Sequence, residues 1–246
     1  MLIGFTIGCV VAVFILPPIA QDPAYHQFAD SRKILGIANF YNVISNFPFF
    51  ILGLLGLYVI LKKDKFISSD SAMLTLVIGV IGIGIGSAYY HLNPTNATLV
   101  WDRIPMTITF MSFLSIVMGR YVNERWGALI LMPLLLIGVA SVISWYRSEL
   151  AGAGDLRLYA LVQFYPMIAV PLIIFMFSTP KSIRIKLMGV ILFYAIAKIF
   201  EHEDVALFNS GEFVSGHTIK HLVASVSVFL ILSIVRNETP QLLIRK

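Results

Sequence analysis

Five histidines, a few carboxylates and one serine hold most of the chemistry this chain can offer, and their spacing is informative. "GHTIKH", residues 216–221, sets His217 and His221 four apart. On a helix that spacing puts both rings on one face, about 6 Å apart along the axis. Paired histidines grip metal ions in this way. "SAYYH", residues 87–91, repeats the spacing with Ser87 and His91. "NPTNAT" then begins a tight turn, since Asn-Pro favours turn initiation. After it, "WDR" at 101–103 returns Asp102 to the level of His91 on an adjacent antiparallel helix. His91, His217 and His221 would supply three nitrogen ligands and leave zinc's fourth position open, the catalytic arrangement. Zinc so held would lower the pKa of a bound water and polarise a carbonyl. Asp102 would take the water's proton as general base, and Ser87 would donate to the developing oxyanion. With no thiolate and no second carboxylate ligand, the donor set favours zinc over iron or calcium.

Each residue also has a local explanation. His217 and His221 would face water or headgroups, Asp102 would cap its helix, Arg103 would pair with headgroups, and Ser87 would bond a backbone carbonyl. Polar groups are costly in oily surroundings, so their gathering at one depth favours a shared site. "KIFEHED", residues 198–204, adds Lys198 and Glu201 as an ion pair three apart supporting that site, and His202 as a possible fourth ligand. Glu203 and Asp204 read as a wet helix end. His26 and Asp30, again four apart, would sit over the site mouth.

The elements that must position these groups are membrane helices. Of 246 residues, 58% are hydrophobic and 13% charged, with mean hydropathy +0.86. Soluble domains carry about 25% charged residues, so the balance is that of a polytopic membrane protein. A span needs roughly 20 apolar residues, and candidates run over 2–19, 40–61, 72–92, 100–118, 127–146, 159–177, 186–205 and 214–235. The fold class is therefore all-α: a helical membrane bundle of seven core spans preceded by one extra. Residues 1–21 form the N-terminal helix, and 22–246 the seven-helix domain. The first span lacks the basic flank and cleavage site of a signal peptide, so it reads as uncleaved. Cys9 is the only cysteine, which excludes a disulfide framework.

Loop charges give the orientation. Lys62, Lys63, Lys65, Arg120, Arg125, Lys181, Arg184, Lys186, Arg236, Arg245 and Lys246 fall on one side; Arg32, Lys33, Arg147 and Arg157 fall on the other. The richer set belongs in the cytoplasm. All five histidines then lie at the opposite, outer face. Trp101, Trp126 and Trp145 fall at helix ends as interfacial anchors should. The net charge of +5 comes without a basic stripe carrying interleaved aromatics, so no nucleic-acid partner is expected. The partners are the bilayer and a membrane lipid, and the outward site points to a bacterial inner membrane.

Together, S-x-x-x-H at 87–91, Asp102 eleven residues later and H-x-x-x-H at 217–221 resemble the alkaline ceramidases. "GIANFYNVISNFPFFILGLLGL", residues 36–57, looks like that family's first conserved helix. The resemblance covers roughly residues 22–235 and extends to a superfamily that includes adiponectin-type receptors. It implies seven core helices and zinc-dependent hydrolysis of the ceramide amide to sphingoid base and fatty acid. By position it makes His91, His217 and His221 zinc ligands, with Ser87 and Asp102 holding and activating the water. Animal members also carry a calcium site before and within the first core helix. Here Asp22 and Asp30 stand nearby, but Asn39 occupies the place of the helix Glu, and calcium prefers several carboxylate oxygens. Two other classes stay open at this point: a zinc-containing lipid receptor, and a zinc hydrolase of another lipid ester or amide. A transporter is disfavoured, since no paired broken helices mark two matching halves.

Overall fold

The computed structural model describes residues 2–63, 68–211 and 213–238. Lys65, Arg245 and Lys246, counted above toward the cytoplasmic set, lie outside them. The chain is 81% helical, with no strand among the described residues. In order the helices are α1 (Leu2–Ile15), α2 (Phe40–Ile44), α3 (Phe47–Leu61), α4 (Ser68–Leu92), α5 (Asn96–Tyr121), α6 (Glu124–Leu150), α7 (Arg157–Met176), α8 (Lys181–His202), α9 (Asp204–Gly211) and α10 (Gly216–Glu238).

Among the described residues, six stretches are long and apolar enough to cross a membrane: Phe40–Leu61, Asp70–Leu92, Asn96–Tyr121, Glu124–Leu150, Arg157–Met176 and Gly216–Ile234. The protein is a multi-pass membrane protein. α8 has the length of a span, 22 residues, but carries Lys181, Arg184, Lys186, Lys198 and Glu201, so its composition is less apolar. It packs along α10, where Ser227 Oγ donates to Val190 O at 3.0 Å. α1 is shorter than the sequence suggested. Its 14 residues rise only about 21 Å, against ~30 Å of hydrocarbon, because Pro17 and Pro18 stop the helix. It lies against α7, with Thr6 Oγ1 and the Tyr165 hydroxyl 2.6 Å apart.

The main apolar core joins α3, α4, α5, α7, α8 and α10, with Leu76, Val77, Ile173 and Ile174 fully enclosed. A smaller cluster of Tyr90, Leu99, Val142, Trp145 and Tyr159 fills the end of the bundle near the histidines. Trp101 and Trp126 are exposed, as anchors should be, whereas Trp145 is wholly buried. The expectation for Trp145 fails because α6 runs on to Leu150, placing this residue inside that smaller cluster.

α4 and α5 meet with no room for a side chain at Gly86, where a Cβ would run into the Trp101 carbonyl oxygen. This approach presses the Ser87 turn onto the Asp102 turn. Gly86→Ala should therefore destabilise the bundle by ~1–3 kcal/mol through overpacking against rigid backbone. Thermal unfolding in detergent measures it, with Gly4→Ala as control, since nothing lies near Gly4. A Gly86→Ala protein melting with the wild type would contradict so close a packing.

Candidate metal centre

The turn between α4 and α5 is built as the sequence requires. Thr95 caps α5, accepting from Thr98 N at 3.2 Å, while the Thr98 hydroxyl accepts from Thr95 N at 3.0 Å. With the cap at Thr95, Asp102 lies nearly two turns inside α5 and is free of a capping role. At the other side of the bundle, Gly216 lets the start of α10 close onto the Phe200 carbonyl and the Asp204 backbone. These two helix entries bring the histidines together.

His91, His217 and His221 converge, one nitrogen from each lying within 4.8 Å of the others. His91 Nε2 and His221 Nε2 are 3.3 Å apart. Two ligands ~2.0–2.1 Å from a tetrahedral zinc stand roughly 3.3 Å from each other. All three rings are buried, and His217 Nε2 has no hydrogen-bond partner. Such buried orphans are rare and costly, so this nitrogen is suited to a cation. Ser45 Oγ sits 2.8 Å from His221 Nδ1, an outer hydrogen bond that fixes the ring's orientation and leaves Nε2 for the centre. The residues fit a metal ion. Among the described residues no other group of three His, Cys, Asp or Glu is so disposed.

Ser87 and Asp102 are both buried and face the same cavity. Together with His221 they line a cavity of about 270 Å³. Most of its remaining lining is apolar, including Phe49, Ile83, Phe110, Phe113, Met167 and Ile231. Ile231 lies ten residues, about 15 Å, beyond His221 along α10. The other two rings are covered by Phe28, whose ring centroid is 4.7 Å from that of His91 and 4.5 Å from that of His217.

The Lys198–Glu201 ion pair forms as its spacing suggested. A partner comes from α10: Lys220 Nζ donates to Glu201 Oε1 at 2.6 Å, and the Tyr25 hydroxyl donates to the same oxygen at 3.2 Å. One carboxylate thus ties α8, α10 and the loop carrying Tyr25 together beside the centre. His202 does not join them. Its side chain is 86% exposed, because the α8 helix ends there with this face turned outward.

Residues 22–39 form a strap across the end of the bundle that holds the histidines. Asp22 caps a short 3-10 turn, accepting from Ala24 N at 2.8 Å. His26 is paired with Tyr90 Oη at 3.0 Å and Asn96 Oδ1 at 2.9 Å, not with Asp30. Asp30 instead receives Arg32, Nε to Oδ1 at 2.8 Å and Nη2 to Oδ2 at 2.7 Å. Burial pushes the Asp30 carboxyl up, but the Arg32 bonds outweigh it and hold the group below the usual carboxylate range. With its folded value depressed, this pair stabilises the strap above the unfolded carboxyl value and ceases to as pH falls through the folded one. Asn39, in the left-handed region at φ 49°, donates from Nδ2 to His91 O at 2.7 Å. The three residues considered for calcium are each engaged in a different local bond.

Four contributors to the site were missed by the sequence reading: Ser45, Lys220, Asp204 and Phe28. Asp204 was read as a wet helix end, yet it is buried and accepts from His217 N at 2.7 Å and Ala29 N at 2.9 Å. Arg103, expected at headgroups, is also buried. The polar run Asn42-x-x-Ser45-Asn46 within an apolar span was the one available hint for Ser45. Asn42 itself accepts from the Thr218 hydroxyl at 2.7 Å, fixing α2 against α10.

Fold and site together define a multi-pass helical membrane protein with a buried tri-histidine centre beside an apolar cavity. A family model described as Ceramidase matches residues 33–239, and the chain belongs to that family. No curated protein and no solved structure is significantly similar to it.

Proposed function

We propose that the protein is a zinc-dependent amidohydrolase that cleaves ceramide, or a related lipid amide, into an amine such as a sphingoid base and a fatty acid. The observation that carries this reading is the shared wall: His221, Ser87 and Asp102 all face one cavity whose lining is mostly apolar. His91, His217 and His221 would hold the zinc. Bound there, zinc would supply Lewis-acid polarisation of the amide carbonyl and acidify a water at the site. Asp102 accepts that water's proton as it attacks and later returns it to the departing nitrogen. Ser87 orients the carboxylate and donates to the oxygen on which charge develops. The apolar walls take the acyl chain, so the amide meets Asp102 in one register. Glu201, held by Lys198 and Lys220, fixes the α8–α10 wall.

Release of fatty acid from a lipid amide by the purified protein, abolished by a chelator and restored by zinc, tests this function. Tight lipid binding with no release would favour the receptor reading instead.

The centre faces the non-cytoplasmic side on this reading, because the richer set of basic loops lies at the opposite ends of the helices. In a Cys9→Ser background, a cysteine placed at Asn93 should react with an impermeant thiol reagent from outside intact cells. Reaction only after the cytoplasm is opened would invert the topology.

A further inference from the structure

The cavity wall holds an arginine that the proposed chemistry does not use. Arg103 follows Asp102 on α5, is 4% exposed, and lines the cavity. Its Nη2 donates to Gln21 Oε1 at 2.6 Å. Its guanidinium carbon lies 4.1 Å from the Trp145 ring centroid and 4.4 Å from that of Tyr159. Its Nη1 is buried and has no hydrogen-bond partner. Arginine stays charged at any ordinary pH, and stacking on aromatic faces offsets only part of the cost of burying that charge.

No carboxylate forms an ion pair with Arg103 among the described residues. Glu149 is taken by Gln21 N at 2.8 Å and Trp145 Nε1 at 3.2 Å. Lys198 and Lys220 share Glu201. The cavity thus presents three cations, Arg103, Lys198 and Lys220, against two carboxylates, Asp102 and Glu201. A bound metal ion would add to the excess of positive charge.

We propose that the preferred substrates are lipid amides whose amine half carries a carboxylate, an N-acyl amino acid being the simplest, and that Arg103 binds that carboxylate. This rests on the reading of the protein as a lipid-amide hydrolase. Consecutive positions on α5 put Arg103 beside Asp102, so an amide held at Asp102 with its acyl chain against the apolar lining turns its amine half toward the guanidinium. A carboxylate two bonds from the amide nitrogen would satisfy Nη1 through a charge-assisted hydrogen bond. A neutral amide leaves Nη1 unmatched. Hydrolysis consumes one water, breaks the C–N bond, and yields a fatty acid and a free amino acid, the water's proton passing to the nitrogen.

The test compares N-palmitoylglycine, its neutral isostere N-palmitoylglycinamide, and N-palmitoylsphingosine as substrates of the zinc-loaded full chain. The wild type should favour the glycine acid over the glycinamide by about ten- to hundredfold in kcat/KM, the range of one hydrogen bond to a charged group. Arg103→Gln should bring that ratio near one, whatever it does to overall activity, and Arg103→Lys should keep part of it. The wild-type ratio needs no variant to fold, and a purely structural arginine would not move it. A wild type that cleaves the neutral amides as well as the acid overturns the proposal and leaves the hydrolase reading standing. Cleavage of none of the three removes both. Inhibition by palmitate that depends on Arg103 as strongly as acid turnover does would reassign the guanidinium to the fatty-acid product and overturn it too.

Discussion

Replacing Asp102 with Asn should lower turnover by about 10²–10⁴-fold, the usual contribution of a general base, while leaving zinc content and folding intact. The side chain is buried and lies on the cavity wall with Ser87. Asn preserves its volume and one carbonyl oxygen but cannot take a proton at neutral pH. Ser87→Ala should cost less, at most the ~2.7–4 kcal/mol of a single oxyanion donor. A capping role would instead give only ~0.5–2 kcal/mol of lost stability with activity per folded molecule preserved, and the Thr95 cap already fills that role. The measurement is fatty-acid release per zinc-loaded molecule. Near wild-type release by folded Asp102→Asn would end this assignment.

The second large effect is on the metal itself. The double variant His217→Ala, His221→Ala removes two of three donors and should drop zinc from about one per chain to none, with activity lost alongside it. Alanine is a good helix former, so α10 should persist, and circular dichroism of the purified protein can verify this. Elemental analysis is the deciding readout, since it registers the ligands independently of substrate. Full zinc in that variant would remove the tri-histidine centre from the account.

What could be read from the sequence follows a physical line. Helical periodicity is local, so the pairs Ser87/His91, His217/His221 and Lys198/Glu201 were legible from their offsets alone. Six of the eight expected spans were legible because hydrocarbon thickness sets a length, and their ends shifted by a few residues where caps decide the boundary, as at Thr95. Lys220 escaped notice because its partner Glu201 lies 19 residues away on another helix. Asp204 and Phe28 escaped for the same reason: their contacts are made by tertiary closure, which no periodicity announces. His202 and Trp145 were misjudged in opposite directions, since being near a helix end does not say which face the residue occupies. His202 faces out, while Trp145 faces the smaller cluster and encloses Arg103.

Asp204 has one further consequence. One of its oxygens holds the backbone at a proposed zinc ligand, His217, and the other holds the strap at Ala29, next to the Phe28 ring that covers two of the imidazoles. Asn39 repeats the connection on the opposite side through the His91 carbonyl. An ion held by the three histidines would therefore be linked in its occupancy to the order of the strap. Whatever free energy the ion contributes to seating the strap, the seated strap returns to ion affinity in equal measure. Changes confined to the strap, many residues from any ligand in the chain, would then appear experimentally as altered metal retention.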